Sequence, residues 1–246
     1  MARMSAERAP IERGPSAAPT IDAAAIASQF RSGGYALLPR LLDGATCERL
    51  RALYPQDACF RSTIVMARHG FGRGEYRYFS YPLPQPIARL RTALYRALAP
   101  IANAWSEALR SKVRYPQELD EFLARCHAAG QPRPTPLLLH YVAGDYNCLH
   151  QDLYGELAFP LQVTVLLSRP GAEFSGGEFV LTEQRPRRQS RAEIVPLTQG
   201  DAVIFAVSHQ PVEGARGHYR ATWRHGVSRV REGERYTAGI IFHDAS

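Results

Sequence analysis

The chain has 246 residues, 45% of them hydrophobic and 22% charged, a composition that supports a substantial core and excludes a wholly disordered chain. Its formal net charge is +7, carried mostly by Arg, which suits phosphates or acidic metabolites as partners but also fits a merely Arg-biased composition. No apolar run approaches the roughly 18–20 residues of a membrane-spanning helix.

Residues 1–20 are rich in Ala, Pro, Ser and Arg and lack periodicity, which predicts a disordered tail. Arg3, Arg8 and Arg13 precede no apolar segment of the kind a secretory signal needs. Cys47, Cys59, Cys126 and Cys148 are scattered, without a CxxC pair or zinc-knuckle spacing. Reduced thiols in a cytoplasmic protein are therefore expected. A helix is predicted over 22–33, capped by Asp22 and ended by Gly33-Gly34. A short strand at Tyr35–Pro39 and a helix from Asp43 to Tyr54 follow.

Residues 60–86 combine Gly and Pro breaks with an aromatic-basic stretch that includes Phe71, Arg73, Tyr76, Arg77 and Tyr78. Strands and long loops are expected there. Ile87, Leu90, Leu94, Leu98, Ile101 and Trp105 recur at helical spacing, with Pro100 expected to break or kink the helix. Another helix is predicted over Pro116–Ala129, then a rigid Pro-rich linker over 131–136.

Beyond Pro136 the pattern turns to strands: Leu137–Val142, Asn147–His150, Phe159–Leu167, Glu178–Leu181, Ala192–Pro196, Ala202–Val207, Tyr219–His225 and Arg235–His243, separated by turn signals. Short strands at this spacing suggest a sandwich or jelly roll. The expected organisation is an α+β chain. Residues 21–136 form a helical support with an aromatic-basic loop, integrated with a β core at 137–246.

His150-Gln151-Asp152 carries the chemistry. In an extended chain, residues i and i+2 share a face, so the imidazole and the carboxylate can bind one ion. His225, far along the chain on a closing strand, supplies a second imidazole. Two His and one carboxylate that leave open positions form the facial triad of non-haem Fe(II) oxygenases. His209 is the main rival for the distal place, and His140, His218 and His243 read as structural.

Arg235 lies ten residues after His225, at the start of an apolar strand. A guanidinium inside a barrel is costly unless paired. A dicarboxylate cosubstrate would pair it, one end on the metal and the remote carboxylate on Arg235; Arg220 and Arg224 are alternatives. Tyr141 is a candidate hydrogen-bond donor to the same cosubstrate. Gln162 and Thr164 are polar groups in an apolar run and are further candidates.

Four pieces in order carry a family resemblance: Tyr141–Asp145 before His150-Gln151-Asp152, the Gly176-Gly177 turn, Leu197–Phe205, and His225 followed by Arg235. The chain resembles the Fe(II)/2-oxoglutarate-dependent dioxygenase superfamily over roughly residues 34–243. The resemblance implies a double-stranded β-helix, a cupin-like jelly roll. It implies His150, Asp152 and His225 as catalytic iron ligands, with 2-oxoglutarate and O2 as cosubstrates and ascorbate as an accessory reductant. The Leu149–Asp152 segment is similar to that of AlkB nucleic-acid dealkylases, although Leu139 stands where those enzymes carry Asn. The gap from His225 to Arg235 is similar to that of prolyl hydroxylases. The overall pattern is closest to a bacterial oxygenase family suspected of acting on nucleic acids.

The expected substrate is therefore DNA or RNA, presented single-stranded or with a flipped base. Arg73, Tyr76, Arg77 and Tyr78 are the candidate contacts, and the Arg185–Arg191 loop is a further phosphate candidate. A protein, peptidyl-proline or small-molecule hydroxylase is the alternative. An iron or 2-oxoglutarate sensor is the non-enzymatic one.

Overall fold

Asp22 opens the first helix, α1 (Ala23–Gly33). Its carboxylate accepts the backbone N–H groups of Ala24 and Ala25 at 2.9 and 3.1 Å, which satisfies donors that a helix start leaves bare. Gly34 ends α1 in the left-handed region at φ +84°. A Cβ there would lie 2.3 Å from the Trp223 ring, so only glycine fits. The computed structural model describes residues 21–153, 155–215 and 217–246. The tail expected over 1–20 lies outside the described residues.

Strand β1 (Tyr35–Leu38) leads to α2 (Gly44–Arg51), capped by Asp43. This helix stops short of the expected Tyr54. Pro55 disfavours the α conformation at the residue before it, and Leu53 and Tyr54 close i→i+3 turns onto Leu50 and Arg51 instead. Strands β2 (Phe60–Val65), β3 (Gly72–Arg73) and β4 (Glu75–Phe79) follow.

Helix α3 runs unbroken over Gln85–Ala108 with Pro100 inside it, contrary to the expected break. Pro100 has no N–H for the Arg96 carbonyl. The Gln117 side-chain amide donates to that carbonyl at 3.3 Å instead. Helix α4 (Leu119–Ala128) packs beside α3. None of the described helices is long and apolar enough to cross a membrane.

The remaining strands are β5 (Leu137–Val142), β6 (Tyr146–His150), β7 (Leu161–Leu166), β8 (Phe174–Gly176), β9 (Phe179–Gln184), β10 (Arg191–Val195), β11 (Ala202–Ala206), β12 (His209–Gly214), β13 (Gly217–Val227) and β14 (Val230–Ile240). They build two antiparallel sheets. One runs β1-β11-β7-β14-β5-β4-β2, with β8 on β14; the other runs β10-β9-β13-β6-β3, with β12 on β13. This is the jelly-roll core expected from the sequence. Residues 35–79 do more than support it, because their strands extend both sheets: β1 on β11, β4 on β5 and β3 on β6. Strand β12 was not predicted; Pro211 masks it, and an outer strand bonded on one side tolerates proline.

The helices grip the barrel through an aromatic cluster. Phe159 lies 5.0 Å from both Tyr95 and Tyr115 and 5.1 Å from Phe242, ring centroid to centroid. Beside it the buried Arg91 of α3 donates to the carbonyls of Ile241 and Phe242 and pairs with the buried Asp244 at 2.8 Å. His127 and Tyr81 also bond Asp244. Removing one partner of a buried ion pair leaves an uncompensated charge, at a cost of about 3–5 kcal/mol. Asp244→Ala should therefore lower unfolding stability by about that amount in a denaturant titration. A loss below about 1 kcal/mol would show that the network does not anchor the C-terminal strand to α3.

Candidate active site

Antiparallel pairing of β13 with β6 places His225 opposite His150. Ligands 75 positions apart in the sequence thereby become neighbours, with ring centroids 4.2 Å apart. Asp152, just past the end of β6, lies between them. Its Oδ1 is 3.4 Å from His150 Nε2 and its Oδ2 is 3.3 Å from His225 Nε2. One donor atom from each of the three residues falls within 4.8 Å of the others, the sole such group among the described residues.

His150 Nδ1 lies 2.8 Å from the Cys148 carbonyl. A carbonyl only accepts, so Nδ1 carries a proton, and Nε2, which faces Asp152, is the atom left to bind a metal. His225 Nδ1 is buried without a hydrogen-bond partner. That ring is held by packing, with Phe205 and Phe179 at 4.6 and 6.1 Å. Gln151 fixes the segment between the ligands: its amide donates to the Trp223 carbonyl at 2.8 Å and to Ser208 Oγ at 3.2 Å.

Burial alone would raise the Asp152 pKa. Hydrogen bonds and charge from the two imidazoles win, and hold the carboxyl well below its ordinary value. Burial lowers the His225 pKa. For His150, burial is outweighed by Asp152 and the net shift is upward.

These residues floor a cavity of about 160 Å³. Arg235 enters it from β14, directly opposite Tyr141 of β5. It is 1% exposed, and its Nε and Nη1 have no hydrogen-bond partner. Burial pushes its pKa down to about 10. It forms no ion pair among the described residues; it has ring contacts at 5.6 Å to Tyr141 and 5.9 Å to Phe174 and a longer-range attraction to Glu178. The Gly-Gly turn makes room for it, since a Cβ on Gly177 would lie 2.9 Å from Arg235 Cδ. Gln162 Oε1 is also buried without a hydrogen-bond partner, and the buried Tyr141 hydroxyl has only a weak interaction with the Asn147 side chain. Thr164 lines the same cavity.

The His-Asp-His donor set fits Fe(II). The buried cation, facing orphaned polar groups across the same small space, fits the remote carboxylate of 2-oxoglutarate.

The candidate substrate residues divide. Tyr76 and Tyr78 line the cavity and meet edge to face at 5.4 Å. Arg77 does not reach it. Alternation along β4 turns it to the other face, where it bonds the Tyr54 carbonyl, Asp57 and Thr63. Arg73 is exposed beside the cavity and not in its wall. In the 185–191 loop, Arg185 and Arg191 are engaged by Glu183. The rival His209 is exposed and contacts Thr222; Arg220 and Arg224 are exposed on β13.

Sequence reading had Phe71 only as one member of the aromatic-basic stretch, and it missed Asn147 and Thr237 in the cavity wall. Thr237, a polar residue in an apolar strand, carried the same signal as Thr164.

A buried cation without a partner costs stability through its lost hydration, and an apolar side chain of similar length relieves that cost. Arg235→Met should raise the thermal midpoint of the metal-free chain while abolishing the stabilisation given by 2-oxoglutarate with Fe(II). A lower midpoint with the ligand response intact would contradict the assignment.

A family model matches residues 74–245; it describes Oxygenase-NA, an oxygenase catalysing oxidative methylation of damaged DNA. Two uncharacterized Mycobacterium tuberculosis proteins, from strains CDC 1551 and H37Rv, are each 51% identical over 168 residues, 68% of this chain and 72% of theirs. Among solved structures, a Pseudomonas putida prolyl-4-hydroxylase superposes with a TM-score of 0.53 at 14% identity, over 91% of this chain and all of that one. A 2-oxoglutarate–Fe(II) oxygenase family oxidoreductase from Burkholderia pseudomallei gives 0.52 at 17%, over 94% and 96%. These two likenesses show the fold. With the site geometry and the family match together, the chain belongs to the Oxygenase-NA family and is an oxidoreductase on the double-stranded β-helix fold of the 2-oxoglutarate–Fe(II) oxygenases.

Proposed function

We propose that this oxygenase hydroxylates a C–H bond on a nucleobase, and that with an N-methylated base the outcome is demethylation. The observation that carries the reaction class is the His150-Asp152-His225 cluster sharing one small cavity with the buried, unpaired Arg235. With Fe(II) and 2-oxoglutarate bound, the site supplies oxygen insertion from O2, and the cosubstrate leaves as succinate and CO2. Insertion at an N-methyl carbon gives a hydroxymethyl group that collapses to amine and formaldehyde, so the chemistry removes methyl groups.

The residues divide the work as follows. His150, Asp152 and His225 hold the metal. Arg235 takes the remote carboxylate of the cosubstrate in a charge-assisted pair. The Tyr141 hydroxyl, whose pKa burial raises to about 12, stays protonated and donates to the same ligand. Gln162 and Thr164 satisfy its remaining polar atoms. Leu139, Phe179 and Ile241 keep the cavity wall apolar, which excludes water and strengthens each polar contact inside. Tyr76 and Tyr78 form the aromatic wall on the substrate side. Tyr78 is braced from behind by the Arg61 guanidinium, 4.5 Å from its ring centroid.

Nucleic acid is favoured as substrate by the damaged-DNA activity of the matching family, the aromatic wall and the net positive charge. The ten-residue gap from His225 to Arg235 favours a peptidyl-proline substrate as the second reading. The chain, supplied with Fe(II), 2-oxoglutarate and ascorbate, should release succinate and formaldehyde in step with N-methylated single-stranded DNA or RNA. Asp152→Ala should cut both by at least about a hundredfold. Oxidation of a proline peptide, with no response to any methylated nucleic acid, would replace the first reading by the second.

A further inference from the structure

Three of the large apolar side chains left exposed in the described residues flank the metal-binding segment. Phe71 is 47% exposed, Leu149 47% and Leu153 56%; Leu149 precedes His150 and Leu153 follows Asp152. Phe71 alone of the three also lines the cavity.

Its turn is rigid. Met66, fully buried, accepts the N–H groups of His69 and Phe71 at 3.0 and 3.2 Å, and donates its own to the Gly74 carbonyl at 3.0 Å. The Phe71 carbonyl accepts from Cys148 N–H at 2.9 Å, which ties the turn to the strand carrying His150. Gly72 lets the backbones meet: a Cβ there would lie 2.4 Å from the Tyr146 carbonyl oxygen. On this turn the His69 ring stacks on Phe71, centroids 5.3 Å apart and planes 22° from parallel.

An aromatic ring held half exposed on a pinned backbone, already stacked on one neighbour, presents a preorganised surface for another planar ring. Cations stand beside it. Arg73, two residues on, has a side chain 64% exposed with only a 3.9 Å approach to Asp145. Arg229 lies over the ring of Tyr146, the residue paired with Arg73. Aromatic rings interleaved with cations fit single-stranded nucleic acid, whose bases stack and whose phosphates need countercharge.

We infer that Phe71, backed by His69, is the platform on which an unpaired base stacks at the mouth of the cavity, with Arg73 holding a neighbouring phosphate. This rests on the nucleic-acid reading above and deepens it by placing the strand along β3 and β6.

The test uses the full chain and a single-stranded oligonucleotide carrying 2-aminopurine, whose fluorescence falls when the base stacks. The native chain should bind and quench it. Phe71→Ala should bind about tenfold more weakly and lose the quenching, and Phe71→Trp should restore both. Arg73→Gln should reduce the slope of log affinity against log salt by about 0.7. An unchanged thermal midpoint for each variant shows that the fold is intact. If the native chain binds and Phe71→Ala binds and quenches equally, the platform is overturned and the nucleic-acid reading stands. If the native chain binds no oligonucleotide, both fall.

Discussion

A guanidinium buried in the barrel without a carboxylate in contact with it is the constraint around which the active centre is arranged. Arg235 is 1% exposed and forms no ion pair among the described residues. Its surroundings are shaped to keep it there: glycine at 177 leaves the space, Tyr141 and Phe174 offer ring faces, and the polar atoms of Gln162 and Thr164 share its cavity. Such an arrangement costs stability in the empty protein. It makes physical sense as preorganisation for an anion, because the desolvation of the cation is complete before the ligand arrives.

The metal cluster depends on strand register. His150 faces His225 because β6 and β13 pair antiparallel at that position, and a shift of one residue would turn either imidazole out of the barrel. Gln151 pins the segment between His150 and Asp152 through bonds to Trp223 and Ser208. Trp223 in turn sits against Gly34 at the end of α1. The first helix thus reaches the site through one aromatic side chain. Residues 35–79 reach it directly, through the strands they add to both sheets.

Much of this was legible in the sequence because it is local or strongly patterned. The spacing of His150 and Asp152, the Gly176-Gly177 turn and the cation at 235 leading into an apolar run each reflect a constraint visible within a few residues. The capped helices and most core strands were legible for the same reason. What was not legible depends on partners far away. Pro100 stays inside α3 because Gln117 supplies the missing donor. Strand β12 exists because β13 runs beside it. Arg77 leaves the cavity wall because β4 is paired on both sides and alternation fixes its face. Phe71 enters the wall because β3 pairs with β6, a two-residue contact that no periodicity announces.

The central claim is that Arg235 and the triad together form one cosubstrate site. The most direct test is anaerobic calorimetric titration of the Fe(II)-loaded chain with 2-oxoglutarate and with 2-oxobutyrate, an oxo acid lacking the remote carboxylate. A charge-assisted pair to a desolvated guanidinium is worth about 1.5–3 kcal/mol or more. The native chain should therefore prefer 2-oxoglutarate by at least about tenfold to a hundredfold, and Arg235→Met should bind the two acids equally. Equal binding of both acids by the native chain, or a preference that survives the substitution, would contradict the account.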